Sequence, residues 1–170
     1  GVLAGSGTIA GPVSILAAGA LSPGASIGAL TINHSLALAG TTVMELNRAE
    51  GTNDLVRGLT SVSYGGTLSL TNLGGQLGDG DAFKLFSASS YSGAFDQIVP
   101  AAPGPGLAWD LSTLATDGTL RIVSTVNTTP TNIEFAAADG KLTLSWPADH
   151  LGWRLQVQTN TLTEGLGTNW

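Results

Sequence analysis

The chain has 170 residues, among them 24 Gly, 12 Asp or Glu, 6 Lys or Arg and no Cys, for a formal net charge of −6. The lack of Cys excludes a disulfide framework and thiolate metal sites, and the acidic balance with scattered cations argues against a nucleic-acid partner. The length suits one domain, or a domain and a piece of another, and is enough to bury roughly two thirds of the unfolded surface.

Charge is unevenly spread. Residues 1–44 and 58–78 contain no Asp, Glu, Lys or Arg. Gly, Ser, Thr or Pro interrupts every apolar run there well before the roughly 18 residues of a membrane span. The reading is a β surface coated with neutral Thr, Ser and Asn, which tolerates close packing against copies of itself. The chain has no initiator Met and no visible signal-peptide pattern, as expected of a processed product or an internal piece.

Residues 1–20 predict short strands near Thr8–Ala10 and Val13–Ala17, punctuated by Gly7, Gly11-Pro12 and Gly19. Gly recurs too often for a helix, at about 1 kcal/mol each relative to Ala. At such a start Val2, Leu3 and Ile9 need a cap or a neighbouring molecule, because exposed edge strands invite pairing.

Residues 21–47 organise the chain. Ser22-Pro23-Gly24 reads as a turn. Three apolar clusters follow: Ile27, Leu30 and Ile32; Leu36 and Leu38; Val43, Met44 and Leu46. The connections near Asn33-His34 and Gly40-Thr41 are too short to hold a helix. Strand, Gly turn, strand in succession is the pattern of a coiling β-sheet.

Residues 45–60 hold the first charge cluster, Glu45, Arg48, Glu50, Asp54 and Arg57. It reads as a solvated loop, AEGTND, returning to a strand in DLVRGL. Residues 61–75 alternate, with Val62, Tyr64, Leu68 and Leu70 inward and Thr67, Ser69 and Thr71 outward, as a half-buried strand pair around Gly65-Gly66. Asp79-Gly80-Asp81 resembles a fragment of a calcium loop but lacks the remaining oxygen ligands. A tight acidic turn before a strand Phe83–Phe86 explains it, so Asp79 and Asp81 stand only as weak metal candidates. Phe83, Phe86, Tyr91 and Phe95 read as core. PAAPGPG is a rigid loop, Trp109 a cap over the last coil, and Thr119–Ser124 a strand.

Residues 125–131, TVNTTPT, form a linker by composition. Beyond it, Ile133 and Phe135, an Asp139-Gly140 turn, and Leu142, Leu144 and Trp146 predict a β-hairpin. Trp153, Leu155 and Val157 alternate again. These residues suit the opening of a β-sandwich, but Asn132 to Trp170 is too short a run for the roughly 100 residues one needs. The segment 132–170 is therefore expected to be partial and sandwich-like, completed in cis or by strand exchange with a neighbour.

LSPGASIGALTIN followed by SLALAGTTVMELN resembles the repeat of secreted bacterial proteins with autotransporter-associated β-strand repeats. The similarity lies in Leu21 to Gly24, Ser26, Gly28, Leu30 and Ile32, then Leu36 to Gly40, then Thr42 to Leu46 with Glu45. It continues through GGTLSLTNLGGQLGDGDAFKLFSASSYSGAF and GLAWDLSTLATDGTLRIV, and covers about three quarters of the chain when read for repeats. The last residues, from LSWPADHLGWRLQV onward, are similar to C-terminal segments of large secreted proteins of verrucomicrobial type. The resemblance implies a passenger-like β-solenoid, secreted and displayed at the cell surface.

No catalytic set stands out. His34 and His150 lack a second ligand at metal spacing and read as turn or surface residues. There is no G-x-S-x-G elbow and no P-loop. The expectation is therefore an all-β protein that is not an enzyme and takes no cofactor. Residues 1–124 form a right-handed parallel β-helix or solenoid, and a short hairpin-rich segment follows it. Its function is that of an extracellular structural protein, a self-assembling fibre or adhesin stalk. Assembly as a homo-oligomer or filament falls to Val2, Leu3, Ile9, Ile133, Phe135, Leu142, Leu144, Trp146, Trp153, Leu155 and Val157. The alternative is a β-helix that binds or cleaves polysaccharide, with surface glycans as partners and a groove near Tyr64, Asp79, Asp81, Lys84 and Tyr91.

Overall fold

The computed structural model describes residues 1–150 together with Leu155, Thr159, Thr163 and Glu164. The chain forms two units, Gly1–Ser124 and Thr125–Trp170.

The first unit is a β-solenoid of about 4 turns. The first coil holds β1 (Val2–Gly5), β2 (Gly7–Ile9) and β3 (Val13–Ile15). The second holds β4 (Ala20–Pro23), β5 (Ala29–Ile32) and β6 (Ser35–Leu38). The third holds β7 (Thr41–Asn47), the short β8 (Thr52–Asn53), β9 (Leu55–Leu59) and β10 (Ser61–Tyr64). In the fourth, β11 (Thr67–Asn72) is followed by β12 (Ala82–Lys84), which leaves the coil, and then by β13 (Phe86–Ala88) and β14 (Tyr91–Gly93). β15 (Gln97–Val99) begins a further turn. Three parallel faces result, ordered β1-β4-β7-β11-β15, β2-β5-β9-β13 and β3-β6-β10-β14.

Residues at equivalent positions stack in register. On the first face the inward ladder runs Leu3, Leu21, Thr42, Leu68, Ile98. On the second it runs Gly7, Leu30, Val56, Phe86, and on the third Val13, Leu36, Val62, Tyr91. Strand alternation produces this, because inward and outward side chains follow a period of two. Leu21, Leu36, Val56, Leu68 and Phe86 are sealed from solvent, and each such side chain contributes about 2 kcal/mol of burial. Outward positions carry Thr31, Ser63, Thr67 and Ser69, in keeping with the neutral coat read from the sequence.

Two local expectations are corrected. β10 and β11 do not pair with each other across Gly65-Gly66; each pairs with the coil below and the coil above on a different face. Alternation in sequence is the same for a hairpin and for a solenoid corner, so only the partner strands distinguish them. Ser22 and Pro23 end β4, and the bend follows at residues 25–27. Pro is tolerated there because it closes the strand and its missing N–H interrupts no later rung.

A cap closes the far end. β16 (Leu107–Asp110), a single helical turn α1 (Leu114–Asp117) and β17 (Thr119–Ser124) join β12 in an antiparallel sheet ordered β12-β17-β16. The expected strand Phe83–Phe86 is thus split. Ala82–Lys84 pairs with β17 in the cap, whereas Phe86 returns to the solenoid opposite Val56. Leu85, Leu114, Leu120 and Ile122 are buried beneath the cap. Trp109 lies in β16, packs against the core, and donates its indole Nε1–H to the Pro100 carbonyl at 2.9 Å.

In the second unit, β18 (Glu134–Ala138) and β19 (Lys141–Ser145) form the predicted hairpin. Asp139 and Gly140 have φ of 52° and 72°, the mirror-image turn that matches strand twist. Phe135 opposite Leu144 and Ala137 opposite Leu142 share one face. His150, expected in a turn or at the surface, is buried, with Nε2 at 2.9 Å from the Thr129 carbonyl oxygen. That contact gives one ring nitrogen of the buried imidazole a polar partner. No helix among the described residues is long and apolar enough to cross a membrane.

Candidate functional site

The corner between the first and second faces carries the largest insertions. It is a single residue, 6, in the first coil, then 24–28, 48–54 and 73–85 in successive coils. The other two corners remain short throughout. Charge collects at this growing corner: Glu45, Arg48, Glu50, Asp54, Asp79, Asp81 and Lys84 all lie on it or at its margin. Loop growth on one face of a solenoid is where binding sites commonly form.

The acidic turn fastens the cap. Asp79 Oδ1 accepts the Ser124 N–H at 2.7 Å, at the end of β17. Asp81 Oδ2 accepts the Gly78 N–H at 2.8 Å, and Oδ1 pairs with Arg48 Nε at 2.7 Å. Among the described residues no group of three or more His, Asp or Glu could hold a metal ion. Both carboxylates thus engage neighbouring groups: Asp79 the cap, Asp81 the turn and Arg48.

The aromatic and cationic residues converge on α1. Tyr64 is buried and donates its hydroxyl to the Leu114 carbonyl at 3.1 Å. Burial raises its phenol well above the usual range, with Tyr91 and Asp117 adding to the shift. Tyr91 donates its hydroxyl to the Asp117 carbonyl at 2.9 Å, and Lys84 Nζ donates to the same oxygen. Asp117 Oδ1 accepts the Thr119 N–H at 2.8 Å, and its carboxyl is held below the ordinary value first by the Thr119 hydroxyl and then by that N–H, with Lys84 and Arg121 adding to the shift. Tyr64, Phe86 and Phe95 form an aromatic cluster with ring centroids 5.1 to 6.4 Å apart. Of the five residues expected near a glycan groove, Tyr64, Tyr91 and Lys84 bond carbonyls of α1, Asp79 bonds the end of β17, and Asp81 bonds the Gly78 turn and Arg48.

Asp54 is the group that sequence reasoning misplaced. Expected in a solvated loop, it is 1% exposed. Oδ1 accepts the Gly28 N–H and Oδ2 the Glu45 N–H, each at 2.8 Å, while its own N–H donates to the Glu45 carbonyl. Burial pushes its pKa up; the two N–H donors oppose that shift. Nothing in TNDLV distinguishes it from the exposed loop residues, because its acceptors face backbone groups elsewhere in the fold. His34 keeps its expected turn position, with Nδ1 accepting the Ser35 N–H at 2.8 Å.

β1, β2 and β3 are the terminal strands of their faces. Leu3, Ile9 and Val13 are half-buried, whereas Leu21, Ile32 and Leu36, one coil deeper, are sealed. Val2 and Leu16 are 69% and 73% exposed. An open cleft of about 400 Å³ lies between β1 and the turn after β3, lined by Val2, Leu3, Ile15 and Leu16. Of the other residues proposed for assembly, Ile133, Phe135, Leu142, Trp146 and Leu155 are exposed, and Leu144 is half-buried. Trp153 and Val157 lie outside the described residues.

Among the described residues, the solenoid has a cap over its last coil, half-buried apolar side chains in its first coil, and a corner where Arg48, Asp54, Asp79, Asp81 and Lys84 make structural contacts. Set against protein-family models, curated proteins and solved structures, the chain matches none of them.

Proposed function

We propose that this chain is an extracellular structural module, a rigid stalk or surface-fibre segment that self-assembles through β contacts. The observation that carries the reading is the continuous stack of parallel strands, whose inward Leu21, Leu36, Val56 and Leu68 are sealed from coil to coil while the outward positions stay neutral. Stiffness follows from construction, since each coil satisfies its backbone through its neighbours and buries a continuous ladder. At the corner, Asp79 and Lys84 are fastened to the cap, Arg48 to Asp81, and Asp54 to the coil before it, which favours a scaffold over a polysaccharide-active surface. Secretion and surface display rest on the sequence resemblance to autotransporter-associated repeats.

Electron microscopy and light scattering of the purified chain test this. The expected result is particles larger than the 17.1 kDa monomer, formed without added ligand. Monodisperse monomers at high concentration would remove the self-assembly, and a glycan-binding screen would then be the next measurement.

A further inference from the structure

We propose that the base of the hairpin in the second unit binds a neutral sugar ring. The cleft there follows from the chain's own punctuation. Glu134 and Ser145 form the last rung between β18 and β19. Pro147 has no N–H to continue the ladder, so pairing stops there. The two arms are tied once more where His150 Nε2 lies 2.9 Å from the Thr129 carbonyl oxygen. An open cleft of about 480 Å³ is lined by Thr131, Asn132, Glu134, Ser145, Trp146 and Pro147, residues of the rung and of the arms leading to that contact. Its volume falls within the roughly 300–1,000 Å³ of small-molecule sites.

The polar groups of this cleft are uncommitted, unlike those of the solenoid corner. Asp54, Asp79, Asp81 and Lys84 each bond a neighbouring group. The side chains of Asn132, Glu134, Ser145 and Trp146 have no hydrogen-bond partner among the described residues, and all four residues are exposed. They offer an amide and a hydroxyl that donate and accept, a carboxylate that accepts, and an indole N–H that donates. A pyranose presents the matching set: hydroxyls that donate and accept around its edge, and an apolar C–H face. The indole, apolar in body and polar at one edge, meets both. No Lys or Arg lines the cleft, so the Glu134 carboxylate repels anionic sugars. A small cation would use the carboxylate and the ring but leave the amide and hydroxyl idle.

Saturation-transfer difference NMR on the full chain tests the site. The probes are cellotetraose, xylotetraose, maltotetraose and chitotetraose, with tetragalacturonate and choline as anionic and cationic controls. Saturation is expected on the ring C–H protons of at least one neutral probe and on neither control. Calorimetry with that probe is expected to show binding about tenfold weaker for Trp146→Ala and severalfold weaker for Glu134→Gln, with unchanged circular dichroism. Asn132→Ala, at an exposed position with no bond to lose among the described residues, is also expected to weaken binding, and reads the site even if Trp146→Ala disturbs the hairpin. Saturation on none of the neutral probes would overturn the site. So would a preference for either control, or affinity left unchanged by Glu134→Gln and Asn132→Ala. None of these outcomes bears on self-assembly, which light scattering reads separately.

Discussion

Asp54 Oδ1 accepts the backbone N–H of Gly28 at 2.8 Å, tying the third coil to the second from inside the wall. The second oxygen holds Glu45 within the same coil. One carboxylate therefore stitches the corner where the insertions begin to lengthen.

Asp54→Ala leaves the Gly28 and Glu45 N–H groups without acceptors and is expected to cost about 2 kcal/mol, the scale of orphaned buried donors. The pH dependence has a definite sign. Because burial raises the folded pKa of Asp54 above its unfolded value, the folded state holds the extra proton, and stability falls as pH rises from the unfolded towards the folded pKa. Asp54→Asn has no such term. Its deficit relative to wild type should therefore be larger at pH 3 than at pH 7 in urea titrations. A deficit that grows with pH would show that the two N–H bonds outweigh desolvation. Asp110 and Asp117, whose pKa values are lowered by contacts with Ser112 and Thr119, act in the opposite window: their contributions are present above the unfolded pKa and fade in stronger acid.

Thr42 occupies the centre of the ladder Leu3, Leu21, Thr42, Leu68, Ile98, fully buried, with no hydrogen-bond partner for Oγ1 among the described residues. Thr42→Val keeps the shape and removes the stranded hydroxyl. The expected gain is about 1 kcal/mol, read as a higher urea midpoint at unchanged slope. A loss of stability would mean that the hydroxyl is satisfied.

Gly118 follows α1 with φ of 77°, and a Cβ there would overlap the Phe86 carbonyl oxygen. Gly51 has a similar φ of 65° but open space around it. Both Ala substitutions incur the left-handed backbone penalty of about 1 kcal/mol; only Gly118→Ala also pushes the cap off the last coil. Calorimetry should therefore show a larger drop in Tm for Gly118→Ala than for Gly51→Ala. Equal drops would remove close packing from the account of the cap.

Tyr64→Phe keeps the ring 5.2 Å from Phe86 and loses the hydroxyl bond to Leu114. A cost of about 1 kcal/mol is expected. Opening should be local, so hydrogen exchange is expected to speed up at Leu85, Phe86 and Gly118 and to stay slow in β4 and β7. Uniform acceleration would mean that cap and coils open as one unit.

The sequence by itself determined the coiling. Leu30 and Ile32, Leu36 and Leu38, and Met44 and Leu46 alternate with short polar residues between brief connections, and that pattern leaves no room for a helix or a long hairpin. It also determined the Asp139-Gly140 hairpin, whose turn chemistry is local. Tertiary structure decided what depends on partners distant in sequence. Val62 and Leu68 look like two arms of a hairpin until their parallel neighbours Leu36 and Thr42 are known. Asp54 looks solvated until Gly28 arrives from the coil before. Tyr64, Lys84 and Tyr91 look like a ligand surface until α1, dozens of residues later, brings the Leu114 and Asp117 carbonyls to meet them. Period and turn residues act over a few positions and are visible in a string of letters. Stacking brings together residues a full coil apart, and it is stacking that decides which polar groups remain free to do chemistry.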